Sequence, residues 1–300
     1  LTLEAPIESD AIKQPEKLAM YERMRDKIGA LPGVQVASVG SNVPLRSRYF
    51  VLEVKAEGLA PSPGEVTPHA VWKTADPAYF DAAGISLLKG RAFNTTDRRD
   101  NARVVVINQS LADRLFPNLD PIGRRLAWTG EVLKFIPVTG DWRTVVGVVA
   151  DTRDAGLDIA PTPTVFQPFA QEEIFAGALV IRTKSDPRLL EPSAIKAIRE
   201  LFPQQLIENV MPLEEVRDAT VAPRRLNALF IASFGSLATI IAVVGIAGVL
   251  AFSVSSRTAE IGIRMSLGAD AGRVRRMVLS EGGLLLAIGL AVGVTGALLT

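Results

Sequence analysis

The sequence predicts an α+β extracytoplasmic domain followed by α-helical transmembrane segments. Three observations lead to this prediction. Residues 226–256 form a run of 31 residues without Asp, Glu, Lys, Arg or His. A strand–helix–strand pattern occurs twice in residues 1–212, and a strand-rich stretch with many Pro and Gly separates the two copies. A bilayer core of about 30 Å needs roughly 20 apolar residues as a helix, so the uncharged run is long enough to cross it.

The two copies of the pattern predict one split layer. In the first copy, residues 14–31 place apolar side chains three or four apart, as in a helix with one buried face, between strands at 1–3 and 34–39. The second copy has strands at 178–182 and 206–210 around a helix at 189–202. We therefore expect residues 1–45 and 175–212 to form a split ferredoxin-like βαβ layer.

The stretch between them, residues 46–174, predicts an inserted mixed α/β subdomain. Asn108 is a good N-cap for the second of its two short helices, and Pro117 follows that helix as a stop. Residues 129–142 are a loop or a hairpin. The predicted strands are 50–57, 66–74, 85–90, 103–107, 144–149 and 164–168, and the predicted helices are 76–83 and 108–116.

Beyond the domain, the chain leads into the membrane. Residues 213–225 are partly amphipathic but contain Pro223, so they form either a helical stalk or a short linker. Residues 226–256 are the predicted transmembrane helix, and the uncharged residues 282–300 are the start of the next one. Because the chain begins at Leu1 without a basic region and ends in an apolar run, we expect a longer protein with an earlier transmembrane helix.

Charge predicts the orientation and excludes several functions. Residues 257–281 contain five Arg, which places this segment in the cytoplasm by the positive-inside rule and residues 1–225 outside. The net charge of +1 gives no sign of a nucleic-acid partner, and the absence of Cys excludes disulfides. No GxxxxGK[ST] motif is present, and a lone His69 without Cys excludes a His/Cys zinc site. We therefore predict no enzyme, no metal and no cofactor in this chain. Asp97, Asp100 and Asp113 are interpreted as a solvated, salt-bridged surface.

Four segments resemble one family of transporters. Residues 105–126 (VVINQSLADRLFPNLDPIGRRL), 145–157 (VVGVVADTRDAGL) and 163–171 (PTVFQPFAQ) resemble the MacB-like periplasmic core domain. Residues 255–282 (SSRTAEIGIRMSLGADAGRVRRMVLSEG) resemble the cytoplasmic segment of FtsX-like permease domains.

The resemblance implies a multi-pass permease subunit of a MacB-type ABC transporter in the bacterial inner membrane. Residues 1–45 with 175–212 would be its porter-like subdomain, 46–174 its sabre-like subdomain and 257–281 its cytoplasmic coupling loop. ATP would be bound by a partner ATPase subunit or domain. The permease would act as a dimer or as half of a tandem duplicate, within the lipid bilayer.

By this resemblance, a short coupling helix in the loop contacts the ATPase. The residues concerned are Glu260, Ile261, Gly262, Ile263, Arg264, Leu267 and Gly268. Gly268 is placed to end the helix, and the exposed Ile side chains would fit a groove on the partner. The alternative is an amphipathic helix that lies at the lipid headgroups.

Small residues four apart predict close helix packing in the membrane. They are Ala238 with Ala242 and Gly289 with Gly293. Such faces let transmembrane helices approach each other, although Gly and Ala are also common in membrane helices without this role.

The predicted function is therefore to couple ATP hydrolysis by the partner to conformational change of the periplasmic domain, for export or mechanotransmission. A membrane-anchored binding or sensing module without an ATPase remains the alternative. The scarcity of catalytic motifs disfavours an extracytoplasmic hydrolase.

Overall fold

The structure is a computed structural model, and it divides the chain into two compact units, Leu1–Ala222 and Pro223–Thr300, called here the first and second unit. Each is described separately. The residues described are 1–7, 11–41, 43, 50–59, 67–136, 138–153, 160–172, 174, 177–266, 272, 276, 280, 283, 286–287, 289–291, 293 and 295–296.

Eleven strands, six α-helices and two short 3₁₀ helices (Glu131–Lys134 and Pro187–Leu189) are assigned in the described residues. The strands are β1 (Thr2–Glu4), β2 (Val34–Gly40), β3 (Phe50–Ala56), β4 (His69–Ala75), β5 (Leu87–Gly90), β6 (Val104–Asn108), β7 (Arg125–Thr129), β8 (Arg143–Val149), β9 (Thr164–Pro168), β10 (Ala178–Thr183) and β11 (Glu208–Met211). The helices are α1 (Gln14–Gly29), α2 (Tyr79–Ala83), α3 (Gln109–Leu115), α4 (Glu191–Leu201), α5 (Leu213–Ser256) and α6 (Thr258–Ser266).

The predicted elements are found, with their ends shifted by a few residues, and one strand was missed. Asn108 caps α3 as predicted, because its side-chain oxygen accepts a hydrogen bond from the backbone N–H of Leu111 at 3.3 Å. The missed strand is β7, whose central residues Leu126, Ala127 and Trp128 are all buried. It therefore lacks the alternation of apolar and polar residues by which strands are recognised.

At one end of the sheet, four strands lie in the order β11-β1-β10-β2, and each pair is antiparallel. Helix α1 contributes Tyr21, Met24 and Ile28 to the core of this layer, and α4 contributes Ala194 and Ile198. Burying apolar side chains of this size stabilises the layer by about 1.5–3 kcal/mol each.

Helix α1 lies close to the strand that follows residue 177. A Cβ atom added at Gly177 would lie 2.1 Å from Cζ of Tyr21. The Tyr21 hydroxyl donates a hydrogen bond to the backbone oxygen of Ala5 at 2.7 Å. Only glycine at position 177 leaves room for this ring.

The inserted part of the sheet closes on itself. Strand β4 pairs with β3 on one side and with β9 on the other, and the pairings β3–β7, β7–β8, β8–β6 and β6–β9 complete a ring of six strands. Its core contains Trp72, Ile107, Leu126 and Trp128, all nearly inaccessible to solvent. Closing a sheet removes free strand edges, which would otherwise pair with other chains. The sequence predicted these strands but not their closure into a ring.

An aromatic cluster joins the ring to the four-strand layer. Tyr79 and Phe80 of α2 pack on Phe166 of β9 and on Val180 of β10. The Phe80 and Phe166 rings lie edge to face with centroids 5.1 Å apart. The sheet continues across the same junction through the pair Gly40–Ala75.

A buried ion pair links β8 to the segment after β9. Arg143 is fully buried, and its Nη2 lies 3.1 Å from Oε1 of Glu172, which is 5 % exposed. Arg103 approaches the same oxygen at 3.4 Å. The other guanidinium nitrogen, Nη1, donates hydrogen bonds to the backbone oxygens of Thr139 and Asp141. Glu172 is thus the carboxylate that balances the charge of the buried Arg143 guanidinium.

Candidate functional site

The predicted coupling segment lies on a separate short helix in the second unit. Arg257 interrupts the helical assignment between α5 and α6, although the backbone N–H of Ile261 still donates to the oxygen of Arg257 at 2.9 Å. The Thr258 hydroxyl donates to the backbone oxygens of Val254 and Ser255. Hydroxyl groups that bond to the preceding turn often bend helices.

Five of the seven predicted contact residues lie on α6, namely Glu260, Ile261, Gly262, Ile263 and Arg264. Ile263 is 62 % exposed and Gly262 is exposed, whereas Ile261 is half-buried. Leu267 and Gly268 fall outside the described residues, as does the side chain of Arg264. Helix α6 therefore presents an apolar side chain to its surroundings.

Helix α5 contains the stretch expected in the membrane. Residues Leu229–Ser256 form a candidate membrane span of 28 residues with a mean hydropathy of 2.5. No residue of the apolar window is buried against the described parts of the chain. Such a helix needs an apolar environment, and a bilayer supplies one.

The small residues of the predicted packing faces are open. Ala238 and Ala242 lie on α5 and are exposed. A Cβ atom added at Gly289 or Gly293 would meet no atom within 4 Å in the structure. Their predicted role in helix packing therefore stays a prediction.

The described residues of the first unit contain no cluster of metal-binding side chains. No group of three or more His, Asp or Glu side chains that could hold a metal ion is found among them. His69 is exposed, and its Nδ1 lies 2.8 Å from the backbone oxygen of Thr67.

The expected solvated surface at residues 97, 100 and 113 needs one correction. Asp97 is buried at 6 % exposure rather than solvated, and Arg91 binds both of its carboxylate oxygens at 2.8 and 3.0 Å. The backbone N–H of Asn94 also donates to Asp97. Asp97 is thus an interior residue that closes its own loop, while Asp100 and Asp113 are exposed.

A buried carboxylate that sequence reasoning missed lies between β4 and α2. Asp76 follows β4, and its Oδ1 accepts a hydrogen bond from the backbone N–H of Ala78 at 3.1 Å. Burial raises the pKa of its carboxyl from 3.8 to about 6, and the charge of Arg25 limits this rise. In the sequence, Asp76 and Pro77 precede a short helix, and this pair of residues is typical of a turn at the start of a helix.

We expect Asp76→Asn to stabilise the first unit at neutral pH. Between about pH 4 and 6 the unfolded chain loses this proton while the folded chain keeps it, so stability falls as pH rises through the window. Two pKa units correspond to about 3 kcal/mol at pH 7. Asparagine keeps the oxygen that accepts from Ala78 and does not ionise.

Urea unfolding of residues 1–222 at pH 4 and pH 7 measures this effect. The variant should be more stable than the parent at pH 7, by up to about 3 kcal/mol, and nearly equal to it at pH 4. Glu16→Gln, an exposed carboxyl on α1, serves as the control and should behave alike at both pH values. A parent that is as stable as Asp76→Asn at pH 7 would contradict the prediction.

Comparison with known protein families identifies the chain. Residues 17–201, more than half of its length, match the family described as the MacB-like periplasmic core domain. The chain belongs to this family. Residues 232–300 match the FtsX-like permease C-terminal family. The resemblance noted from the sequence is thereby confirmed for both domains.

Curated MacB-like relatives are larger proteins. The chain is 28 % identical over 225 residues to the macrolide export ATP-binding/permease protein MacB of Neisseria gonorrhoeae, covering 72 % of this chain and 33 % of that protein. It is 24 % identical over 216 residues to an uncharacterized ABC transporter permease, YknZ, of Bacillus subtilis, covering 72 % of this chain and 53 % of that one. The chain thus spans about a third of the length of the MacB relatives that it matches.

Two solved structures are similar to this MacB-like chain. One is the periplasmic region of MacB from Actinobacillus actinomycetemcomitans, with a TM-score of 0.44 and 14 % identity over 69 % of this chain and 87 % of that one. The other is the extracellular domain of the transporter YknZ from Gram-positive bacteria, with a TM-score of 0.43 and 13 % identity over 70 % of this chain and all of that one.

Proposed function

We propose that this chain is a permease subunit of a MacB-type ABC transporter that couples ATP hydrolysis by a partner ATPase to conformational change of its periplasmic domain. The observation that carries the proposal is the order of its parts. A compact α/β unit is followed by a helix whose residues 226–256 carry no charge, and that helix leads directly into a short helix with an exposed Ile263. ATP binds to the partner, and this chain supplies the connection.

The first turns of α5 pack against the rest of the first unit. This contact supports the transmission of movement from the helix to the first unit. Val216 is 3 % exposed and packs with Val43 and Ala178. On the same turn, Nε of Arg188 donates to Oε1 of Glu215 at 2.9 Å. A displacement of this part of α5 would therefore act on β10, which contains Ala178.

The composition of the span also favours transmission of force over conduction. Ionisable groups inside a membrane usually mark the path of an ion or a substrate. Residues 226–256 have none. Export of cargo would then use the periplasmic domain rather than a path along this helix.

We further infer that the four-strand layer is the split ferredoxin-like, porter-like subdomain. Its strand order, β11-β1-β10-β2, with α1 after β1 and α4 after β10, supports the assignment. The six-strand ring then corresponds to the sabre-like insertion. The exposed Ala238 and Ala242 on α5 support packing against another helix, which a permease dimer or a tandem duplicate would supply.

Labelling of single cysteines tests the orientation on which the coupling depends. Residues 1–300 contain no Cys, so Glu16→Cys on α1 and Ser266→Cys on α6 each introduce one thiol into them at an exposed position, and the unsubstituted full-length protein gives the background labelling. In intact cells that produce the full-length protein, a membrane-impermeant maleimide should label the first and not the second. Permeabilised cells should show both labelled. Protection of position 16 together with labelling of position 266 would place the first unit in the cytoplasm and contradict the proposal.

A further inference from the structure

A hollow lies inside the first unit between α1 and the segment that joins β5 to β6. It has a volume of about 60 Å³, and Tyr21, Arg25, Asp76, Phe93 and Phe169 are among its lining residues. A wider hollow of about 230 Å³ adjoins it, since both share Leu18, Arg98, Phe169 and Ala170. The smaller hollow, which contains Asp76, thus adjoins a wider one. The walls of the wider hollow combine the apolar Leu18, Phe169 and Ile174 with the charged Arg98, Arg99, Asp100 and Glu172.

The carboxylate of Asp76 is only partly neutralised in this hollow. Its side chain is 6 % exposed, and the nearest cation among the described residues is Arg25, whose Nη1 lies 3.4 Å from Oδ2. The same guanidinium holds Oδ1 of the exposed Asp26 more closely, with Nε at 2.9 Å and Nη2 at 2.7 Å. Arg25 is therefore shared between two carboxylates, and the buried one has the longer contact.

The other carboxylates of the hollow have closer partners. Asp97 is bound on both oxygens by Arg91, and Glu22 accepts from Arg98 at 2.8 Å. Glu22 and Asp97 are thus each paired with an arginine, whereas Asp76 shares Arg25 with Asp26. The aromatic walls also favour a cation, because the faces of aromatic rings attract cations.

We propose that this hollow binds a small organic compound that carries one ammonium group on an aromatic or aliphatic body. The ammonium group would bind Oδ2 of Asp76, where the contact of Arg25 is long. The apolar body would lie along Leu18 and Phe169 in the wider hollow. A buried carboxylate whose arginine is shared and distant is only partly compensated, so a ligand cation close to its oxygen would be bound favourably. This site does not depend on the ATPase contact at α6.

Binding of such a cation depends on pH, because only the ionised carboxylate attracts it. The charged groups that face Asp76 are Arg25 and Glu22 from α1 and Arg98 and Asp97 from the segment after β5. With the pKa of Asp76 at about 6, ionisation is nearly complete at pH 7.5 and about one tenth at pH 5. The apparent affinity should therefore fall about tenfold between these pH values.

The test uses the whole chain in nanodiscs of neutral lipid, with phenethylamine as the probe and its neutral isostere phenylethanol as the comparison. Saturation-transfer NMR, with empty nanodiscs subtracted, gives the relative affinity. At pH 7.5 the amine should bind at least tenfold more tightly than the alcohol. Asp76→Asn should remove this preference, whereas Glu16→Gln should keep it.

The pH series of the parent protein keeps the proposal testable even where a variant misfolds, because it needs no substitution. The affinity for the amine should fall toward pH 5 while that for the alcohol stays constant. Equal binding of both probes at pH 7.5, or an amine preference that Asp76→Asn retains, overturns the proposal.

Discussion

Glu172→Gln is expected to lower the free energy of unfolding of the first unit by about 3 kcal/mol, because it leaves a buried guanidinium without its carboxylate. Arg143 is fully buried and lies 3.1 Å from Oε1 of Glu172. Glutamine still offers an oxygen, but it carries no charge to balance Arg143. Urea unfolding of residues 1–222 measures the change as a lower midpoint with an unchanged slope.

Two controls separate the buried charge from a general effect of the substitution. Glu57→Gln makes the same substitution in an exposed ion pair with Arg125. It should leave the urea midpoint unchanged. Replacing both partners, with Arg143→Met and Glu172→Leu together, should recover much of the lost stability, since no buried charge remains. If Glu172→Gln and Glu57→Gln have equal effects, the buried pair has no special role.

Ile263→Asp is expected to lower the affinity of the permease for the proposed partner ATPase by more than tenfold. A hot-spot side chain in an interface contributes about 2 kcal/mol or more, and a carboxylate in its place would have to be desolvated. The measurement is the amount of ATPase that co-purifies with the full-length permease, together with the rate of ATP hydrolysis in the complex.

A matched control lies on the other side of the same helix. Thr258 precedes Ile263 by five residues, which is about 140° around an α-helix, so Thr258→Asp adds the same charge away from the proposed contact. It should leave co-purification unchanged. If Ile263→Asp retains the ATPase but loosens the membrane association of the segment, α6 lies at the lipid headgroups and the docking proposal is wrong.

The sequence predicted those parts of the fold that depend on local patterns. Helix α1 followed from Tyr21, Met24 and Ile28, because their spacing places them on one face whatever they pack against. The candidate span followed from 31 residues without charge. The ring was not predictable in this way, because its closure pairs β4 with β9 across some ninety residues of chain. Nothing local to either strand specifies that partner.

The proposed ATPase contact at α6 and the hollow at Asp76 also differ in how far local sequence predicts them. Exposure of Ile263 on a short helix followed from the resemblance of residues 255–282 to permease loops, while Leu267 and Gly268 stay predictions. Asp76 looked from the sequence like an ordinary residue at a helix start. Its burial results from α1 and the segment after β5, which approach it from distant parts of the chain.

The pairing of β1 has a consequence for biogenesis. Thr2 lies opposite Val180 and Met211, so the earliest strand has its neighbours at the far end of the unit. During synthesis, Leu1 and Leu3 are covered only after the residues of β10 and β11 have been added to the chain. Long-range contacts of this kind make folding slow. The four-strand layer of the first unit should therefore be completed only after β10 and β11 have been synthesised.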